Sequence, residues 1–404
     1  MKYLLIGING VYNYGCEAIV RGSVNILRAF DPQAEITYAT LSPDYDRKML
    51  ADCGLEIIPR RFISRFSFPR LARRLAACLG IEIPVMFDLK ETATEKKYDY
   101  VLSIGGDIYT LSPDNKEYPS ALMLFGDYCE KNGRHYILWG ASVGPFSANP
   151  GVEKKVKEHL LRISGITSRE KKSTEYLKSI GLGGRLLECA DPAFTVAAEI
   201  TKETGSFSGA IPEKIALNLS PLSLCYTGQG RKNGIAEHRV LVGKLLEMFP
   251  CEIILVPHVC PPDEGIDDDY SYLNELYCSL PETLRSRVRL LPRGLGFIAT
   301  KTELIKCDLC IAARMHCAIN AMTAYVPTVL LSYSSKASGM AEYVYGSRKY
   351  VCALENVLNY DFSGNINLSE QHCLLKARIP AVTRAAYSAM KIFKAHGGKE
   401  FSGC

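Results

Sequence analysis

The sequence lacks any apolar run long enough to cross a bilayer; runs such as residues 253–256 stop at once against Pro257 and His258. It also lacks a strong excess of charge of one sign. Lysine and arginine number 48 against 43 acidic residues, a net +5; spread over the chain this argues against a nucleic-acid binder, yet leaves room for a local basic pocket. Composition is not extreme either. Hydrophobic content of 47% and charged content of 23% exclude collagen, coiled coil and disorder, and no short repeat or low-complexity tract is present. The first apolar stretch, residues 3–8, is too short for a signal-peptide core and runs into a glycine-rich turn, so it reads as a buried strand and the expected location is cytoplasmic. The 15 cysteines lack the spacing of a disulfide framework and read as reduced, mostly buried thiols.

What is present is length and alternation. A chain of 404 residues exceeds a single core and predicts two domains of roughly 200 residues each. Strand-like runs at 3–8, 36–39, 100–104, 136–139, 215–219, 253–256, 309–312 and 328–331 alternate with helical patterns at 17–30, 152–163, 171–180, 234–249 and 301–306. Such alternation predicts an α/β chain with two doubly wound parallel sheets. Turn residues gather between 198 and 213. The expected division is therefore 1–205, 206–380 and a last helix within 381–404 that crosses back to the first domain.

Open parallel sheets bind ligands beyond the carboxyl ends of their strands. Seven segments there carry chemistry. Residues 7–19 form a glycine- and asparagine-rich strand-to-helix loop containing Asn13, Gly15 and Glu17; it suits an anionic ligand but has neither a P-loop lysine nor a complete dinucleotide fingerprint. Gly105-Gly106-Asp107 and the loop from Gly140 through Ser142 to Phe146 let backbone pass close to a neighbour, which helix packing alone would also explain. Arg169 ends a short strand before a helix, fit for a phosphate or carboxylate, although a surface pair with Glu170 is the commoner fate. In the second half, His258 ends one strand and Arg314-Met315-His316 follows another, with Lys336 after the next. Together these predict an acid/base and anion-binding centre.

Two other patterns point elsewhere. Cys307, Cys310, His316 and Cys317 invite a zinc reading, but no second pair has suitable spacing, so no metal is expected. Residues 60–75 interleave six arginines with apolar side chains and no acid; this suits peripheral contact with an anionic membrane or, more simply, a solvated helix.

Taken in order, Asn13-Tyr14-Gly15-Cys16-Glu17-Ala18, Gly105-Gly106, Ser142-Val143-Gly144-Pro145-Phe146, Ser168-Arg169-Glu170, Asp191-Pro192-Ala193-Phe194, Pro257-His258, Arg314-Met315-His316 and Lys336 resemble the polysaccharide pyruvyl transferase family. The resemblance runs from the first strand to Lys336. It implies two Rossmann-like domains facing across a cleft, as in GT-B glycosyltransferases, and transfer of pyruvate from phosphoenolpyruvate to a hydroxyl pair as a ketal. Arg169, Arg314 and His316 match the family's donor and catalytic positions and Lys336 its downstream lysine. Cys16 stands where many relatives carry aspartate, and Asp107 follows two glycines where relatives often have three.

The resemblance implies phosphoenolpyruvate as co-substrate, no cofactor, and a sugar or lipid-linked oligosaccharide as acceptor. On this reading the arginines clamp the donor, His316 protonates its methylene carbon, Lys336 balances charge on the leaving phosphate, and His258 orients the acceptor or acts as base. Asn13, Gly15, Glu17, Gly105, Gly106, Asp107 and Ser142 fall to the acceptor side or the cleft. Two alternatives stand beside it: a GT-B glycosyltransferase using a nucleotide sugar, and a catalytically silent sugar-binding relative.

Overall fold

The computed structural model describes residues 1–60, 97–112, 117–202, 211–263, 265, 267–333 and 335–396. Most of the basic segment at 60–75 lies outside them. The chain divides into two compact units: Met1–Gly10, Ser23–Asp191 and Tyr387–Cys404 in one, Val11–Gly22 and Pro192–Ala386 in the other.

The first unit is built on β1 (Lys2–Ile6), β2 (Glu35–Thr40), β3 (Glu56–Pro59), β4 (Tyr100–Ile104), β5 (His135–Trp139), β6 (Gly165–Ser168) and β7 (Leu186–Glu188). They form one parallel sheet in the order β3-β2-β1-β4-β5-β6-β7. Leu4, Ile6, Val101, Leu138 and Ile166 are wholly buried in it, as strands covered on both faces require. Helices α1 (Tyr14–Phe30), α2 (Pro43–Met49), α3 (Ser120–Lys131), α4 (Pro150–Arg162) and α5 (Lys171–Ser179) accompany these strands. Helix α1 is shared between the units, changing over between Gly22 and Ser23.

The last described segment, a 3₁₀ stretch at Ser388–His396, belongs to the first unit. Its Phe393 packs on Tyr100 with ring centroids 4.9 Å apart, on Trp139 at 5.6 Å and on Tyr3 at 5.7 Å. Burying a phenylalanine so completely is worth about 3–5 kcal/mol against alanine, which explains why the chain returns here.

The second unit contains β8 (Lys214–Asn218), β9 (Glu252–Leu255), β10 (Val288–Leu290), β11 (Leu309–Ala312), β12 (Thr328–Ser332) and β13 (Val351–Ala353). Their order, β10-β9-β8-β11-β12-β13, again reverses direction beside the first strand. Around it run α6 (Pro221–Thr227), α7 (Arg231–Met248), α8 (Asp269–Ser279), α9 (Glu282–Arg285), α10 (Gly296–Leu304), α11 (Met315–Thr323), α12 (Ser335–Tyr345), α13 (Phe362–Asn365) and α14 (Leu368–Tyr387). Both units are thus Rossmann-like, and the expected fold class is found.

The structure differs from the sequence reading in three places. The helix expected at 301–306 begins earlier, at Gly296, because the Glu17 carboxylate accepts the Phe297 N–H at 2.8 Å and so stabilises a buried helix start. The last helix runs through Pro380 and ends at Tyr387, where the 3₁₀ stretch takes over. Residues Val11–Gly22, read with the first 205 residues, pack in the second unit. There the Tyr14 N–H donates to the His258 carbonyl at 2.9 Å and the Gly294 N–H to the Tyr14 hydroxyl at 3.0 Å.

Candidate functional site

In each sheet the strand order reverses between the first strand and its neighbour, β1 beside β4 and β8 beside β11. Diverging connections leave a crevice at such a point, where ligands bind in doubly wound folds. Gly105, Gly106 and Asp107 follow β4 and Arg314 and His316 follow β11, at these points, whereas Ser142, Arg169, His258 and Lys336 follow β5, β6, β9 and β12.

In the first unit, Gly105 and Gly106 follow β4 directly, and Gly105 holds φ +149°, which favours glycine. A Cβ on Gly106 would lie 3.4 Å from an Nη of Arg169, so the guanidinium stands at ordinary contact distance from the turn. Arg169 follows β6 and donates from Nη1 to the buried Asp191 carboxylate at 2.5 Å. Burial opposes its charge, but Asp191, Glu170 and Asp107 outweigh that and raise its pKa. Asp107 is exposed. Ser142 is buried, with its backbone N–H on the Gly106 carbonyl at 2.9 Å.

In the second unit, Arg314 follows β11 as the N-cap of α11, and His316 occupies that helix's first turn. The Arg314 N–H donates to Asn218 Oδ1 at 2.8 Å, while Asn218 Nδ2 donates to the Val256 carbonyl at 2.8 Å. This buried amide stitches together the ends of β8, β9 and β11. The Arg314 side chain is held by two carboxylates: Nη2 donates to Asp269 Oδ1 at 2.7 Å and also to Asp267, and Nη1 reaches Asp267 Oδ2 at 3.2 Å. Burial works against the guanidinium charge, yet Asp269 and Asp267 more than offset it and raise the pKa.

Asn13 caps α1, its Oδ1 accepting from the Gly15 N–H at 2.9 Å. Gly15 then lies against the imidazole of His316: a Cβ there would fall 2.5 Å from Nδ1 and 2.8 Å from the ring-bearing Cβ. Two helix N-termini, those of α1 and α11, therefore meet around His316, a setting that favours an anion.

Over most of its length, residues 13–335, the chain matches the model of the polysaccharide pyruvyl transferase family. It belongs to that family. Among curated proteins none matches. Anabaena HepE, solved with UDP and glucose, is similar at 14% identity and TM-score 0.57, with 98% of each chain covered. The MnaA of S. aureus, solved with UDP, has TM-score 0.59 at 10% identity over 100% of this chain and 99% of that one. The UDP-GlcNAc 2-epimerase of Methanocaldococcus jannaschii has TM-score 0.56 at 10% identity, covering 98% of this chain and 100% of its own. At these identities the likeness concerns the fold, which is GT-B-like with two Rossmann-like domains.

The remaining predicted residues fall into distinct environments. Glu17 is buried and committed: Arg21 Nε donates to one oxygen at 2.7 Å and the Phe297 N–H to the other. His258 is 1% exposed, its ring 5.4 Å from that of Tyr14 and 5.9 Å from that of Phe297. Burial, then the neighbouring His316 and Arg314, push its pKa well below the ordinary value, so it is neutral. Lys336 is half-buried in the first turn of α12. Cys307 and Cys310 are buried thiols raised in pKa, Cys307 to about 12 chiefly by burial, and the described residues contain no group that would hold a metal. No helix among the described residues is long and apolar enough to cross a membrane.

Sequence reasoning missed Asn218, Asp267 and Asp269. An Asp-Asp-Asp run reads as solvated loop, yet Asp268 caps α8 and binds Arg293 at 2.7 Å while its two neighbours face Arg314.

Proposed function

We propose that the chain transfers pyruvate from phosphoenolpyruvate to a hydroxyl pair on a sugar of a surface polysaccharide or its precursor, as a ketal, with release of phosphate. One observation carries this reading: His316 and Arg314 stand together at the switch point of the second sheet, between the starts of α1 and α11. An imidazole beside a guanidinium and two helix N-termini suits a small molecule bearing both carboxylate and phosphate.

His316 protonates the methylene carbon, leaving the central carbon an oxocarbenium-like electrophile. One sugar hydroxyl attacks it, the bond to the phosphate oxygen breaks, and the second hydroxyl closes the ketal. Of the two hydroxyl protons, one balances the proton added to carbon and the other leaves with phosphate. Arg314 orients the donor, Lys336 offsets charge on the leaving phosphate, and Arg169 is the first unit's anion contact. Asn13 and Gly15 set the position of His316. No cofactor enters this scheme. Glu17 and His258, both buried, act by holding the framework, while Gly105, Gly106, Asp107 and Ser142 are assigned to the acceptor.

The test is release of phosphate from phosphoenolpyruvate in the presence of a panel of sugars and lipid-linked oligosaccharides with free hydroxyl pairs. Acceptor-dependent release, with a ketal on the product, supports the proposal. Transfer from a nucleotide sugar that ignores phosphoenolpyruvate would make the chain a glycosyltransferase, and binding without turnover would make it a silent relative.

A further inference from the structure

We infer that Asp267 sets the affinity for the anionic donor by competing with it for the guanidinium of Arg314. The inference rests on the reading that Arg314 meets phosphoenolpyruvate. Its basis is a count of donors. A guanidinium has five N–H groups and no acceptor. The Nε–H of Arg314 is directed at Asp269, at 3.2 Å from Oδ1 and 3.3 Å from Oδ2. Nη2 donates to Asp269 at 2.7 Å and to Asp267, and Nη1 donates to Asp267 at 3.2 Å. One Nη1–H is left. A phosphate or carboxylate held through two parallel bonds needs the edge formed by both Nη atoms, and Asp267 covers it.

The two carboxylates are not equivalent. Asp269 is fully buried and also accepts the backbone N–H groups of His258 and Val259, each at 3.1 Å. Leaving Arg314 would strand its charge away from water, so it stays and fixes the guanidinium. The Asp267 side chain is 38% exposed and makes no other hydrogen bond among the described residues. On release it returns to solvent at small cost. A dianionic donor is the better ligand for the same edge, so donor binding and Asp267 release are one exchange.

The experiment is calorimetric titration of phosphoenolpyruvate, without acceptor, into the wild type and the Asp267→Asn, Asp267→Ala, Asp267→Glu and Arg314→Ala proteins, with inorganic phosphate as a second probe. Competition predicts binding about fivefold tighter in the Asn and Ala variants, with Glu near the wild type, and a lower KM for phosphoenolpyruvate without a rise in kcat. A carboxylate that merely positions Arg314 gives no such gain: unchanged or weaker binding in Asp267→Asn, with Arg314→Ala weaker still, overturns the inference and leaves the functional reading standing. Unaltered phosphoenolpyruvate binding in Arg314→Ala removes both.

Discussion

The α-carbon of Gly15 lies against the imidazole of His316, so closely that a Cβ would sit 2.5 Å from Nδ1 and 2.6 Å from Cγ. The glycine is therefore a steric requirement of the histidine's position, and the Asn13 cap holds the two in register.

Gly15→Ala is expected to push the ring aside. Overpacking of this kind costs about 1–3 kcal/mol, and here the displaced group is the proposed acid, so kcat should fall by at least about tenfold while the fold persists. Steady-state kinetics beside a thermal melt checks this. Unchanged kcat would show that His316 is not the acid or that its position does not matter.

His316→Ala tests the acid directly. A general acid contributes typically about 10²- to 10⁴-fold, so turnover should drop by that factor while phosphoenolpyruvate still binds. Rapid loss of binding instead would make the ring a donor contact.

Much of this arrangement is legible in the sequence, for reasons that can be named. Strands β1, β4, β8 and β11 are buried on both faces and announce themselves as continuous apolar runs, and Arg314 and His316 follow one of them directly. The outer strands β7, β10 and β13 are three residues long with polar members such as Glu188 and Arg289, and give no such signal. Nor does the sequence tell that Val11–Gly22 leaves its neighbours for the second unit, since that depends on Tyr14 and Glu17 meeting partners about 280 residues away. The anchoring of Arg314 by Asp269 spans 45 residues and is equally silent.

Removing Asp269 should be the most damaging change near the site. Asp269→Ala leaves a buried guanidinium with only the half-exposed Asp267 opposite it and two backbone N–H groups without that acceptor, and breaking a buried pair costs about 3–5 kcal/mol. Urea denaturation should show that loss, whereas Asp267→Asn should change stability by about 1 kcal/mol at most.

Acid stability should depend on His238, buried against the Tyr272 hydroxyl at 2.6 Å. Burial lowers its pKa from 6.5 to about 4. The unfolded chain thus takes up a proton at a higher pH than the folded one, so the stabilisation is complete above 6.5 and is lost as pH falls towards 4. The loss amounts to about 3 kcal/mol at the lower end. In His238→Phe, the slope of unfolding free energy between these pH values should flatten; an identical slope would place the acid sensitivity elsewhere.

Arg169 separates binding from stability in the first unit. Its side chain is largely buried beside Asp191, which is 4% exposed, so Arg169→Ala is expected to lower stability by about 3 kcal/mol by taking the guanidinium away from that buried carboxylate. The double variant with Asp191→Asn removes the buried carboxylate charge and should recover most of the stability. If Arg169 serves only the fold, the double variant also recovers activity. If it contacts the anionic donor, KM for phosphoenolpyruvate stays raised in the stable double variant, because the missing guanidinium and not the aspartate charge is what the donor feels. KM is compared at restored stability, which a single substitution cannot provide.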